Sequence, residues 1–145
     1  MPVMPLPAAD DITTLVIRTD FSDDAAWAAL QRALDDGQEF SAATYVDDRR
    51  FAGVTVEALV AEDAAAEDED RTCEVCLADA VALGDPAFPL LAVDLYAEPG
   101  RTFRLPARWF PEISVNLSLA NLDFSDYADT ADPSGVFRGF GGDAG

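Results

Sequence analysis

The spacing of hydrophobic and polar positions along the chain changes several times, and these changes predict alternating strands and helices. Apolar residues run through 12–19 with a continuous centre at 15–17, which is typical of a buried strand. An acidic stretch follows, and then Trp27, Leu30 and Leu34 recur at helical spacing. This order predicts a strand followed by a helix with one buried face.

Polar residues and glycine predict where the helices begin and end. Asp20 or Ser22 is expected to cap the first helix, and Gly37 to end it. Thr55 is expected to cap a short second helix whose apolar positions, within 56–60, face the core. The remaining strands are predicted at 40–46, 72–79, 89–96, 101–105 and 115–119.

A short helical turn, a strand and a final helix are predicted in the last third of the chain. Pro106 is expected to start a short helical turn that Pro111 interrupts. Val115, Leu117 and Leu119 alternate with polar residues, a pattern typical of a half-buried strand. The final helix is predicted to be capped by Asp123, with Phe124 and Tyr127 facing inward.

The longest apolar run, 89–96, is the stretch around which the predicted fold is organised. A Pro99-Gly100 turn signal follows it, and 101–105 returns as a second strand, so a hairpin with a loop of two to four residues is predicted. A strand that is apolar on both faces belongs in a covered sheet. We therefore predict a single α/β domain with a mixed sheet of about six strands, a central β-hairpin and two or three covering helices.

Length and terminal sequences set the predicted boundaries. The 145 residues suffice for one core. We expect a loose leader at 1–11, the α/β domain at 12–140 and a disordered tail at 141–145. The amino terminus is not expected to act as a signal peptide, and no stretch approaches the roughly 20 apolar residues of a membrane span. A cytoplasmic location with reduced cysteines is expected.

The charge of the chain is strongly acidic. There are 28 acidic residues against 9 basic ones, every base is arginine, and histidine and lysine are absent. This balance argues against nucleic acid and anionic membranes, and leaves a basic protein partner, a cation, solubility or genome composition as its reason. Residues 62–70 carry six acids and are expected to form a solvated, mobile connection, with a partner site as the alternative.

The missing residue types exclude several chemistries. Without histidine there is no Ser-His-Asp or Cys-His triad, and without lysine there is neither a P-loop lysine nor a Schiff base. Cys73 and Cys76 form a CxxC, but a zinc site needs about four ligands and no other Cys or His exists. Both cysteines are expected to be small buried core residues, and no cofactor or metal is predicted.

Carboxylates are the remaining candidates for chemistry. Asp20, Asp47 and Asp79 each fall where a predicted strand ends, so in parallel neighbouring strands they would gather at one sheet edge. Such a group can hold Mg²⁺, although caps and turns also explain these acids, and we favour that explanation. Asp94 lies within the apolar strand and is expected to pair with Arg101 on its face; a small ligand-binding pair is the alternative.

Four segments resemble one known family: 15–23, 89–104, 116–124 and 135–140. It is a family of small acidic bacterial proteins, mostly from actinomycetes, known only as a domain of unknown function, and the resemblance spans about 12–140. It implies a bacterial cytoplasmic single domain and brings no activity, cofactor or site residues. The sequence therefore favours a non-catalytic acidic binding protein, such as an inhibitor or immunity-like partner of a basic protein. An Mg²⁺-dependent enzyme is the alternative, and the oligomeric state is left open.

Overall fold

The computed structural model describes residues 13–65, 72–119 and 121–138, which form five strands and five α-helices. The predicted leader, the tail and the glycine-rich stretch at 139–142 lie outside these residues. The elements in chain order are β1 (Thr14–Arg18), α1 (Asp24–Asp35), β2 (Ala43–Val46), α2 (Val56–Ala65), β3 (Glu74–Ala78), α3 (Ala80–Leu83), β4 (Leu90–Asp94), β5 (Thr102–Leu105), α4 (Phe110–Ser118) and α5 (Phe124–Ala128), with short 3₁₀ turns at Arg49–Phe51 and Ala107–Trp109.

One mixed sheet has the strand order β2-β1-β3-β4-β5. Strand β1 is parallel to both β2 and β3, whereas β4 is antiparallel to β3 and to β5. The α/β fold class with a single domain is confirmed, with five strands in place of about six. The hairpin strand β4 is an interior strand as predicted, but β3 occupies the centre.

The two faces of the sheet are covered by different helices. Trp27, Leu30 and Leu34 of α1 pack on one face together with α4 and α5. Leu59 of α2 and Phe51 pack on the other face against the apolar residues of β1, β3 and β4. This division explains why the interior strands carry apolar residues on both faces.

Local signals predicted the first half of the fold well. The amino end of α1 is capped by Asp23, whose carboxylate accepts the Ala26 N–H at 3.0 Å, one residue beyond the predicted Ser22. Thr55 caps α2 as predicted, since its hydroxyl accepts the Ala58 N–H at 3.1 Å. None of the helices in the described parts of the chain has the length and apolar character of a membrane span.

The predicted strand at 115–119 is wrong, because these residues belong to α4 and the turn that follows it. Phe110, Ile113 and Leu117 recur at helical spacing and pack against the core, whereas Val115 is 38 % exposed. Pro111 does not interrupt a helix but lies in the first turn of α4, where the missing N–H costs nothing.

Three smaller expectations also differ from the structure. Strand β2 begins at Ala43, and Phe40 is 80 % exposed. The 62–70 segment is not uniformly solvated, because Asp63 is buried in α2 and accepts the Thr72 N–H at 2.6 Å; residues 66–71 lie outside the described parts. Cys76 is buried as predicted, but Cys73 precedes β3 and is exposed.

Candidate functional site

The carboxyl ends of the three parallel strands meet at one edge of the sheet. Strand β1 lies between β2 and β3, and the helices that follow β1 and β2 cover opposite faces. In open α/β sheets such a switch in direction opens a crevice beyond the strand ends, where ligands commonly bind. This edge is therefore the first candidate site, and we call it the carboxyl edge.

Arg18, the last residue of β1, organises the carboxyl edge. Its side chain is buried, and its guanidinium donates to Asp24 at 2.7 Å, to Asp47 at 3.5 Å and to the Asp20 carbonyl at 3.0 Å. The guanidinium also lies 4.6 Å from the centroid of the Phe21 ring, a cation–π distance. A buried arginine needs such partners, because an uncompensated charge in the interior is costly.

The three acids predicted at this edge do not converge on one point. Asp47 contacts Arg18, and the Asp20 carboxylate accepts the Ser22 N–H at 3.0 Å. Hydrogen bonds from Ser22 lower the pKa of Asp20 below its usual range. Among the described residues, no group of three Asp, Glu, Cys or His is placed to hold a metal ion.

Asp79 is held by an arginine that the sequence did not link to it. Both Asp79 oxygens accept from Arg104 of β5, at 2.9 and 3.0 Å, and one of them also accepts the Ala82 N–H that opens α3. Arg104 donates further to the Pro89 carbonyl at 3.1 Å. This bidentate ion pair connects the end of β3 to the edge strand β5. Asp79 also caps α3, the role predicted for it.

The predicted Asp94–Arg101 ion pair is wrong. Asp94 is buried, and its carboxylate accepts the N–H groups of Tyr96, Ala97 and Glu98 at 2.9, 3.1 and 2.9 Å. Arg101 instead pairs with Glu98 at 3.1 Å and with Asp129 of the α5 end.

The reason for this difference is the loop that joins β4 to β5. It spans 95–101, seven residues in place of two to four, and it folds back over the end of β4. Its backbone N–H groups therefore reach the Asp94 carboxylate, as in an Asx-turn, and satisfy it without an arginine.

Sequence reasoning missed a second carboxylate, Glu74, which begins β3. It lies opposite Asp94 in the antiparallel ladder and is half-buried. Burial, and next the nearby Asp94 charge, raise the pKa of Glu74 to about 7. The only sequence signal for Glu74 was its position as an acid between the two cysteines. That position becomes important only because the β3–β4 register places it opposite Asp94.

The cysteines show no arrangement suited to redox chemistry. Burial, and next the charge of Glu74, raise the pKa of the Cys76 thiol, which disfavours the reactive thiolate. Cys73 is exposed and lies outside the strand.

The sequence matches a known family model over most of its length. The family model described as "Domain of unknown function (DUF6924)" matches residues 13–140. This range covers almost all of the described chain. No curated protein matches the sequence.

Proposed function

The chain belongs to the DUF6924 family of domains of unknown function, and on that premise we propose that it is a non-catalytic acidic protein that binds a basic protein partner. An inhibitor or immunity-like role is the form of this function that we favour, in a bacterial cytoplasm. The proposal is supported by the charge of the chain and by the arrangement of acids around Arg18.

One observation carries the proposal. Asp24 and Asp47 each contact Arg18 through Oδ1, while their side chains remain 84 % and 52 % exposed. No described residue bonds to the second oxygen of either carboxylate. The buried arginine thus holds two exposed carboxylates in place, and fixing a charged group before binding reduces the entropy lost on association.

The partner chemistry follows from the charge. A net charge of −19 steers basic partners toward the protein and repels acidic ones. Catalysis is disfavoured, because the strand-end carboxylates already bind arginines or backbone N–H groups of the same chain. The absence of histidine and lysine from the sequence removes the commonest bases and nucleophile activators.

The test is retention of partners from an extract of the source organism on immobilised protein, followed by calorimetry with the purified partner. We expect a basic protein whose binding weakens as salt is raised. Asp24→Asn together with Asp47→Asn should weaken binding by about tenfold or more. The neutral amides keep the size of the side chains but remove two charges that compensate the buried Arg18, so the thermal stability of this variant is measured before its binding.

The matched control removes two other exposed acids, Glu39→Gln in the loop before β2 together with Glu112→Gln on α4, a helix whose Ser114 contacts Thr14 and Ala42 near the amino ends of the strands. This control changes the net charge by the same amount as the first double variant but leaves the carboxyl edge intact. It should therefore weaken binding only a little. Equal weakening by both double variants would refute a role for the carboxyl edge. Failure to retain any basic protein at moderate salt would refute the proposed function.

A further inference from the structure

Three exposed apolar side chains lie near the end of the sheet where the parallel strands begin. Among the described residues, the large apolar side chains that remain exposed are Phe40, Val81, Tyr96, Val115 and Leu119. Val115 and Leu119 are one helical turn apart at the end of α4, since the Leu119 N–H donates to the Val115 carbonyl at 3.0 Å. Phe40 precedes β2 at the same end. We call Phe40, Val115 and Leu119 the apolar patch.

Two hydrogen bonds hold α4 against this end of the sheet. The Ser114 hydroxyl donates to the Ala42 carbonyl at 2.8 Å, so α4 lies beside the stretch that leads from Phe40 into β2. The Ser118 hydroxyl donates to the Thr13 carbonyl at 3.4 Å. The chain therefore enters β1 directly beside the exposed end of α4.

The segment that leads into β1 has a composition suited to covering the apolar patch. Residues 1–9 read Met-Pro-Val-Met-Pro-Leu-Pro-Ala-Ala and contain no charged side chain, in a chain with 28 acids. Proline favours an extended backbone and limits the entropy that is lost on packing. At about 3 Å per residue, the ten positions before Thr13 reach roughly 30 Å, whereas Val115 and Leu119 are about 6 Å apart along α4.

Size and charge disfavour a second copy of the chain as the occupant of the apolar patch. Three side chains offer roughly a few hundred Å², well below the roughly 800 Å² per partner of a stable interface. Two copies that each carry a net charge of −19 also repel each other. A segment of the same chain needs little contact area, because its tether keeps it at a high effective concentration.

We propose that residues 3–7, Val-Met-Pro-Leu-Pro, pack on the apolar patch, with Leu6 against Val115 and Leu119. This contact removes apolar surface from water, and the tether makes it independent of protein concentration. The proposal gives a docking role to a segment that its sequence alone predicts to be loose. It does not depend on the carboxyl edge, which lies at the opposite ends of the parallel strands.

The test is nuclear Overhauser spectroscopy on the full chain with isotopically labelled methyl groups. We expect contacts between the methyl groups of Leu6 and those of Val115 and Leu119, with a relative intensity that dilution does not change. A sample that mixes labelled and unlabelled chains should show no contacts between chains. Absence of the Leu6 contacts, or contacts that arise only between chains, would overturn the proposal.

Three matched variants each replace one apolar side chain with serine. Leu6→Ser should shift the methyl resonances of Val115 and Leu119, and Leu119→Ser should shift those of Leu6 to the positions of an unfolded peptide. Val81→Ser, at an exposed apolar residue of α3 outside the patch, should change neither set. Leu6 lies outside the helices and strands and Leu119 is half-exposed, so both variants keep the fold. Equal changes in Val81→Ser, or unchanged resonances in Leu6→Ser, would also overturn the proposal.

Discussion

The burial of Glu74 should make the stability of the protein fall as pH rises. Its pKa is raised from 4.5 to about 7, first by burial and second by the charge of Asp94. The unfolded chain releases this proton near pH 4.5, whereas the folded chain keeps it until about pH 7. Between these values the folded state binds more protons, so raising the pH favours unfolding, and the full penalty is present above about pH 7.

The size of the penalty follows from the shift. A rise of the pKa from 4.5 to about 7 corresponds to about 3 kcal/mol, because one pKa unit is worth about 1.4 kcal/mol. Glu74 keeps some contact with solvent, which reduces this value to roughly 2–3 kcal/mol. Such a penalty is a substantial part of the 5–15 kcal/mol typical of a domain.

The perturbation that isolates this effect is Glu74→Gln, which keeps the size of the side chain and removes its charge. Urea unfolding of both proteins at constant ionic strength should show Glu74→Gln to be the more stable. The difference should widen by about 2 kcal/mol between about pH 5 and about pH 8.

A matched control separates this effect from the general repulsion among the many acids. Glu39→Gln removes one exposed charge and should change the unfolding free energy by only a few tenths of a kcal/mol. If the advantage of Glu74→Gln does not grow with pH, or if the wild type is the more stable at about pH 8, the burial argument is refuted.

Three other predictions follow from the described contacts. Asp94→Ala removes three charged hydrogen bonds and should destabilise the fold by about 3–5 kcal/mol, whereas Arg101→Ala should have little effect on stability. Strong coupling between the two changes in the double variant would contradict this separation. A thiol reagent should label Cys73 quickly in the native protein and Cys76 only after unfolding, so fast labelling of both would contradict the burial of Cys76. Calorimetry with Mg²⁺, Mn²⁺ and Ca²⁺ should give only weak, salt-sensitive heats; a one-to-one site lost in Asp20→Asn would instead support a metal-dependent enzyme.

The sequence by itself determined the elements whose signals are local. The buried face of α1 follows from Trp27, Leu30 and Leu34, and the start of α2 follows from the Thr55 cap. The apolar strands and the α/β class follow from runs that only a sheet covered on both faces can bury. The local pattern was ambiguous at 115–119, where an alternating pattern also fits a helix, and packing of Ile113 and Leu117 decided between them.

Tertiary structure alone decided the partners of the charged residues. Placing Asp20, Asp47 and Asp79 at one edge required only parallel strands, but which arginine each acid meets depends on strand order and register. The 95–101 loop gave Asp94 its backbone donors, and the β3–β4 register placed Glu74 opposite it. A charge interacts with whatever lies within a few ångströms, however distant in sequence, so neither periodicity nor composition could predict these contacts.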